Sequence, residues 1–198
     1  LGGEALTVTV LFSDIRGFTT ISEKLSAHEV VEMINAYFTR ACEPILEQGG
    51  TVDKYIGDAV MAVFGSPVRH PDHARRALRA ALGMAREAES FKQWMARRFP
   101  GRGLAEFRIG IGLHTGEAVI GDIGTPRRKE FTAIGDTVNA ASRLEGVTKD
   151  MRITIAASQA TVLAAGSGVR TGRSQEVTVK GKTQALLVHE VLGLDGQA

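Results

Sequence analysis

The sequence predicts an α+β domain in which helices pack on one face of a mostly antiparallel sheet. Apolar runs of strand length recur in neighbouring pairs joined by short Gly-containing turns, the pattern of hairpins rather than of long crossovers. Two longer stretches instead repeat apolar residues every three or four positions, as one face of a helix does. No internal repeat, low-complexity stretch or linker interrupts them, so residues 1–198 read as one domain.

The first strand spans about Thr7–Ser13 and ends on a carboxylate, Asp14, followed by a turn at Gly17 and helix-like sequence. A helix starts near Ala27, with Val30, Val31, Ile34, Phe38, Ala41 and Ile45 at helical spacing. Ser26 and Glu29 match a capping box at its start, and Gly49-Gly50 stops it. Thr51–Ile56 and Ala59–Phe64 form a hairpin with Asp58 at its tip. The second long helix covers about Asp72–Arg98, and its arginines 75, 76, 79 and 86 read as a solvated face. After the loop Pro100–Gly103, Phe107–His114 and Glu117–Asp122 are predicted as a second hairpin turning at Thr115-Gly116. A basic loop at Pro126–Lys129 leads to a strand at Glu130–Ile134, then to a helix at about Thr137–Val147 capped by Asp136. Short strands follow from Ile153, ending in Ala185–Val191.

Composition bounds the function. The chain has 198 residues, 43% of them hydrophobic, which is enough for one sizeable core. A net charge of +2 gives no sign of disorder or of a nucleic-acid surface. Cys42 is the single cysteine, which excludes an internal disulfide and fits a reducing, cytoplasmic setting. No apolar run reaches the roughly 18 residues of a membrane helix, so no membrane contact is expected of this domain. A start at Leu1 rather than Met leads us to expect a piece of a longer protein, which could itself be membrane-anchored.

Two carboxylates at strand ends, beside backbone N–H groups around Gly17 that suit a phosphate, point to a two-metal nucleotide site. Either aspartate alone is an ordinary turn residue. A third stretch, Phe131–Glu145, places Asn139 and Arg143 four apart on one helix face, as a clamp for sugar and phosphate would require. Other signals are weaker. His70 and His73 lack further metal-ligand partners, and Gly181-Lys182-Thr183 lacks the first glycine of a P-loop.

Phe12–Thr19, Lys54–Ala59 and Phe131–Glu145 together resemble the catalytic domain of class III nucleotidyl cyclases, over about Thr7 to Glu190. The resemblance implies that family's ferredoxin-like fold and a head-to-tail homodimer with composite active sites. It implies an adenylyl cyclase that makes cyclic AMP and pyrophosphate from ATP with two divalent cations, Mg²⁺ or Mn²⁺. Carried over, Asp14, Ile15 and Asp58 are the metal ligands, and Lys54 and Thr132 read the purine. Asn139 and Arg143 position the ribose and stabilise the transition state. Lys180 and Arg127 (or Arg128, one residue on) hold the triphosphate with the turn at Gly17, Phe18 and Thr19. Lysine can donate to adenine N1 and threonine can accept from N6, whereas guanine reverses both partners. Threonine at 132 also resembles the subgroup stimulated by bicarbonate, which makes bicarbonate a candidate effector. The alternatives are a guanylyl cyclase, disfavoured by Lys54, and a nucleotide-binding dimerisation module without turnover.

Overall fold

The computed structural model describes residues 2–180 and 183–196. Its centre is an eight-stranded sheet. Strand β1 (Gly2–Ile15) leads through a short helix α1 (Phe18–Glu23) and the long α2 (Ala27–Glu47) to the hairpin β2 (Thr51–Ile56) and β3 (Ala59–Phe64). Helix α3 (His73–Arg98) precedes β4 (Ile109–Thr125) and β5 (Arg128–Ile134). Helix α4 (Asp136–Met151), β6 (Ile155–Ser158), α5 (Gln159–Ala165), β7 (Val169–Val177) and β8 (Leu186–Leu194) complete it. The order is β2-β3-β1-β4-β6-β8-β7, with β5 pairing to β4. Every pairing is antiparallel except β4 with β6, so the expected sheet and mixed class are found.

Burial alternates along the central strands, as a pleat with two covered faces demands. Leu11 and Ile15 of β1, Ile111 and Leu113 of β4, and Ile155 of β6 pack with α2 and α3, where Tyr37, Leu78 and Phe91 are buried. Val8, Val10 and Ile120 face the other way, onto Ala141 of α4. Helices therefore cover both faces, not one. The capping box at Ser26 and Glu29 is present with both hydrogen bonds.

Four local readings change. The proposed hairpin at Thr115-Gly116 does not exist: β4 runs straight through it, paired to β1 from Gly116↔Val8 to Thr115↔Thr9 and beyond. Thr115 is not a turn residue because its hydroxyl is buried, bonded to Thr9 Oγ1 and to Thr161 Oγ1, both at 2.9 Å. Asp136 is the first residue of α4 rather than its cap; Gly135 holds the cap position without a side-chain bond. Strand β5 begins at Arg128, so the turn narrows to Pro126-Arg127. Val31, read as core, is 57% exposed, because the apolar stripe of α2 runs through Ile34 and Tyr37 instead.

Candidate active site

Strand β1, inside the sheet, carries Asp14 near its end, and the β2–β3 turn brings Asp58 beside it. The Ile15 N–H donates to Asp58 Oδ2 at 3.0 Å, which fixes the second carboxylate against the end of the first strand. Gly57, at φ 62°, makes the turn that aims Asp58. Burial pushes the Asp58 carboxyl up, the Ile15 N–H opposes this, and the negative charge of Asp14 raises it further. Two carboxylates crowded in a half-buried corner gain from a divalent cation between them. Hard oxygen donors suit Mg²⁺ or Mn²⁺. Among the described residues no group of three or more His, Cys, Asp or Glu is arranged to hold an ion. Two carboxylates make a short donor set. Such a set would leave most coordination positions of a bound cation to water and other oxygen ligands, as is usual for Mg²⁺.

Arg16 follows immediately. Its guanidinium lies 3.2 Å from Asp14 Oδ1, donates to the Glu145 carbonyl at 3.2 Å and sits 3.6 Å from Glu145 Oε2. Burial raises the Glu145 carboxyl to about 8, helped by its hydrogen bond with Asp14 and the negative charges of Asp14 and Asp58; Arg16 pulls the other way. Gly17 adopts a left-handed conformation (φ 64°) and turns the chain into α1, whose first turn has no side-chain cap. The N–H groups of Phe18 and Thr19 are thus at a helix start, where an anion is favoured.

Lys54 and Thr132 come together from β2 and β5. The Thr132 hydroxyl is bonded to both carboxylate oxygens of Asp53, at 2.9 and 2.8 Å, and the Ala133 N–H donates to the same group at 3.3 Å. Lys54 Nζ lies 3.0 Å from Glu130 and 3.9 Å from Asp53. A break in register between Val52 and Lys54 explains how two consecutive residues serve one site. In a regular strand they would point to opposite faces; a bulge turns both toward β5. Asp53 is the residue that sequence reasoning missed, and the Val52–Lys54 bulge has no local sequence signature.

Asn139 and Arg143 are exposed on α4, one turn apart, as the spacing predicted. Neither bonds to Asp14 or Asp58 within the chain among the described residues. Glu145, two residues on and so about 200° around the helix from Arg143, is the α4 residue that meets Arg16. Arg127 and Lys180 are exposed in turns. Of the stretch Val179–Lys182, Gly181 and Lys182 lie outside the described residues.

Asp53 and Thr132 line a space of only about 40 Å³, against the 300 Å³ or more of a usual ligand pocket. A cleft of about 720 Å³ opens beside Arg16 between Lys92, Arg108 and Lys149, and none of the predicted site residues lines it.

Comparison with known proteins fits this arrangement. The family model for the adenylate and guanylate cyclase catalytic domain matches residues 4–191. Adenylate cyclase 1 of Rhizobium meliloti is 42% identical over 187 residues, covering 94% of this chain and 28% of the relative. The terminal-differentiation specific adenylate cyclase of Dictyostelium discoideum is 37% identical over 200 residues, 98% of this chain and 9% of its own length. This chain thus spans about a third or less of these curated relatives. Among solved structures, the guanylyl cyclase Cya2 superposes with a TM-score of 0.88 at 34% identity, over 99% of this chain and 96% of the other. The adenylyl cyclase CyaB from P. aeruginosa does so at 0.86 and 30% identity, over 98% and 97%. With that family model matching residues 4–191 and both solved domains superposing over nearly its whole length, the chain belongs to the class III adenylate and guanylate cyclase catalytic domains.

Proposed function

We propose that this domain cyclises ATP to 3′,5′-cyclic AMP with release of pyrophosphate, as a head-to-tail homodimer with two composite sites. The observation that carries the proposal is the 3.0 Å bond from Ile15 to Asp58, which sets two carboxylates side by side at the strand ends. Asp14, Asp58 and the Ile15 carbonyl would hold two divalent cations. When bound, these supply activation of the ribose 3′-hydroxyl and neutralisation of phosphate charge. The 3′-oxygen attacks the α-phosphorus in line, its proton leaves to solvent, and the bond to the bridging oxygen of pyrophosphate breaks. Asn139 orients the ribose. Arg143 offers a fixed cation to the charge that builds on the α-phosphate oxygens, a role worth on the order of 10³–10⁵ in rate in other phosphoryl transfers. The backbone at Gly17, Phe18 and Thr19, with Lys180 and Arg127, holds the triphosphate.

Lys54 and Thr132 favour adenine, by donation to N1 and acceptance from N6. The composite dimer is supported by three features. Arg143 lies about 200° around α4 from Glu145, whose carboxylate sits 3.6 Å from Arg16 on the side toward Asp14 of the same chain. The space lined by Asp53 and Thr132 is too small for a purine. Tyr55, Ile56, Phe131 and Ile134 around that site are large apolar side chains 47–53% exposed, as a surface awaiting a partner would be.

Incubating the purified protein with ATP or GTP and Mn²⁺ and identifying the product tests the proposal. Cyclic AMP with little cyclic GMP is expected. Cyclic GMP as the main product would favour the guanylyl reading, to which the likeness to Cya2 lends weight. Absence of either product would favour the dimerisation module. Bicarbonate is proposed as an activator, read as a rise in kcat at fixed pH and ionic strength against chloride controls.

A further inference from the structure

We infer that Asp53 sets the purine preference of this domain, by holding the Thr132 hydroxyl in a donating orientation so that only oxygen lone pairs remain for the base. The inference rests on the reading of Lys54 and Thr132 as the purine-contacting pair. A threonine hydroxyl is ambiguous: it carries one proton and two lone pairs, and can serve adenine N6 as acceptor or guanine O6 as donor. The residue alone therefore discriminates nothing. A carboxylate accepts and never donates. Both Asp53 oxygens lie within 2.9 Å of Thr132 Oγ1, so the one hydroxyl proton is committed to Asp53. What Thr132 can still offer is acceptance, which suits an exocyclic amino group and opposes a 6-oxo group.

The carboxylate is held firmly enough to impose this. Its side chain is 5% exposed. It also accepts the Ala133 N–H, a backbone donor that cannot rotate away. Lys54 stands 3.9 Å off on the same side, with Glu130 at 3.0 Å. An ammonium has three protons. With one directed to Glu130 and one toward Asp53, the third is free for a ring nitrogen. The bulge at β2 thus presents an obligate acceptor and a donor side by side, the complement of the adenine edge. Asp53 touches no substrate in this account. It is a positioning residue.

The test separates the 6-position from the rest of the base by comparing ATP with ITP. Inosine carries the 6-oxo group without the 2-amino group of guanine, and its N1–H confronts Lys54 equally in every variant. In Asp53→Asn the amide N–H can donate to Thr132, which frees the hydroxyl proton for a 6-oxo group, while the amide oxygen still accepts from Ala133. The ATP:ITP ratio of kcat/KM is expected to fall about tenfold, the size of one mismatched hydrogen bond. Asp53→Ser, which also releases the proton, should shift the ratio the same way if the asparagine variant folds poorly. Calorimetric binding of 3′-deoxy-ATP and 3′-deoxy-ITP should follow the same ratio without turnover. A merely structural role would lower both nucleotides together. Thr132→Val distinguishes the two failures. If it collapses the ratio while Asp53→Asn and Asp53→Ser leave it unchanged, Asp53 is not the determinant. If it too leaves the ratio unchanged, the purine reading of Lys54 and Thr132 fails, and the inference with it.

Discussion

The guanidinium of Arg16 lies across Gly110, where a Cβ would come within 2.5 Å of Arg16 Cζ and would collide with Nη2. Two residues along the same strand, a Cβ on Gly112 would strike the backbone of α4, 2.6 Å from the Ala141 carbonyl and 2.7 Å from Glu145 Cα. The two glycines make opposite demands. At Gly110 the main obstacle is the end of a long side chain, which can swing away. At Gly112 it is a helix backbone, which cannot. Gly112→Ala is therefore expected to cost about 1–3 kcal/mol of stability, read from urea denaturation. Gly110→Ala should lose turnover, because Arg16 leaves Asp14 and Glu145, and should cost less stability than Gly112→Ala, although its Cβ also meets the buried Thr148 hydroxyl.

Removing either aspartate should silence the domain. Asp58→Asn keeps an oxygen to accept the Ile15 N–H but loses the charge, so its thermal midpoint should stay near that of wild type. Altering partners of metal ligands commonly costs 10–100-fold, and loss of a ligand should exceed about 100-fold. Asp14→Ala is expected to match it. Mn²⁺-dependent product formation near the wild-type rate in either variant would remove that residue from the metal site.

Complementation reads the composite arrangement directly. Asp14→Ala and Arg143→Ala homodimers should each be inactive. Mixed, they form heterodimers in which one site carries both lesions and the other neither, as a two-fold interface requires. Activity should return, to at most half the wild-type rate per heterodimer where the two sites act independently. A mixture that stays inactive after subunit exchange has been demonstrated would rule the arrangement out.

Glu29 gives a pH signature. Hydrogen bonds from Arg102, at 3.0 and 2.7 Å, and from the Ser26 N–H bring its carboxyl down to about 2. The folded value lies below the ordinary 4.5, so the unfolded chain takes up the proton first. The stabilisation is complete above about pH 4.5 and is lost as pH falls toward 2. Glu29→Gln retains an acceptor for Ser26 but not the charge facing Arg102. Urea midpoints of wild type and variant should differ at pH 6 and converge near pH 2.

The corner where Asp14 and Asp58 meet was legible in the sequence because a strand-end aspartate and a hairpin-tip aspartate are placed by local chain geometry alone. The pairing of Asn139 with Arg143 followed from helical spacing for the same reason. What escaped depends on long-range packing. Thr115-Gly116 has the composition of a turn, and only the hydroxyl chain to Thr9 and Thr161 makes it strand interior. Asp53 escaped because a regular strand would point it away from Lys54, and the bulge that turns it toward Thr132 is set by pairing with β3. Val31 sits at an apolar position of the helical pattern, yet the sheet lies against the adjoining side of α2.

Strands β1 and β4 pair without a slip from Gly2↔Asp122 to Ile15↔Ile109. The ribbon is 14 residues long in β1, about 48 Å at the rise of an antiparallel strand, and it contains no bulge to bend at. Asp14 is carried at one end of this beam and Gly2 at the other. A beam without a joint converts a small tilt at one end into a proportionate sweep at the other, with little lost to deformation between. Torque applied near Gly2 is therefore delivered to the corner where Asp14 meets Asp58, and a single flexible residue placed midway, such as Val10→Gly, would act as a mechanical fuse.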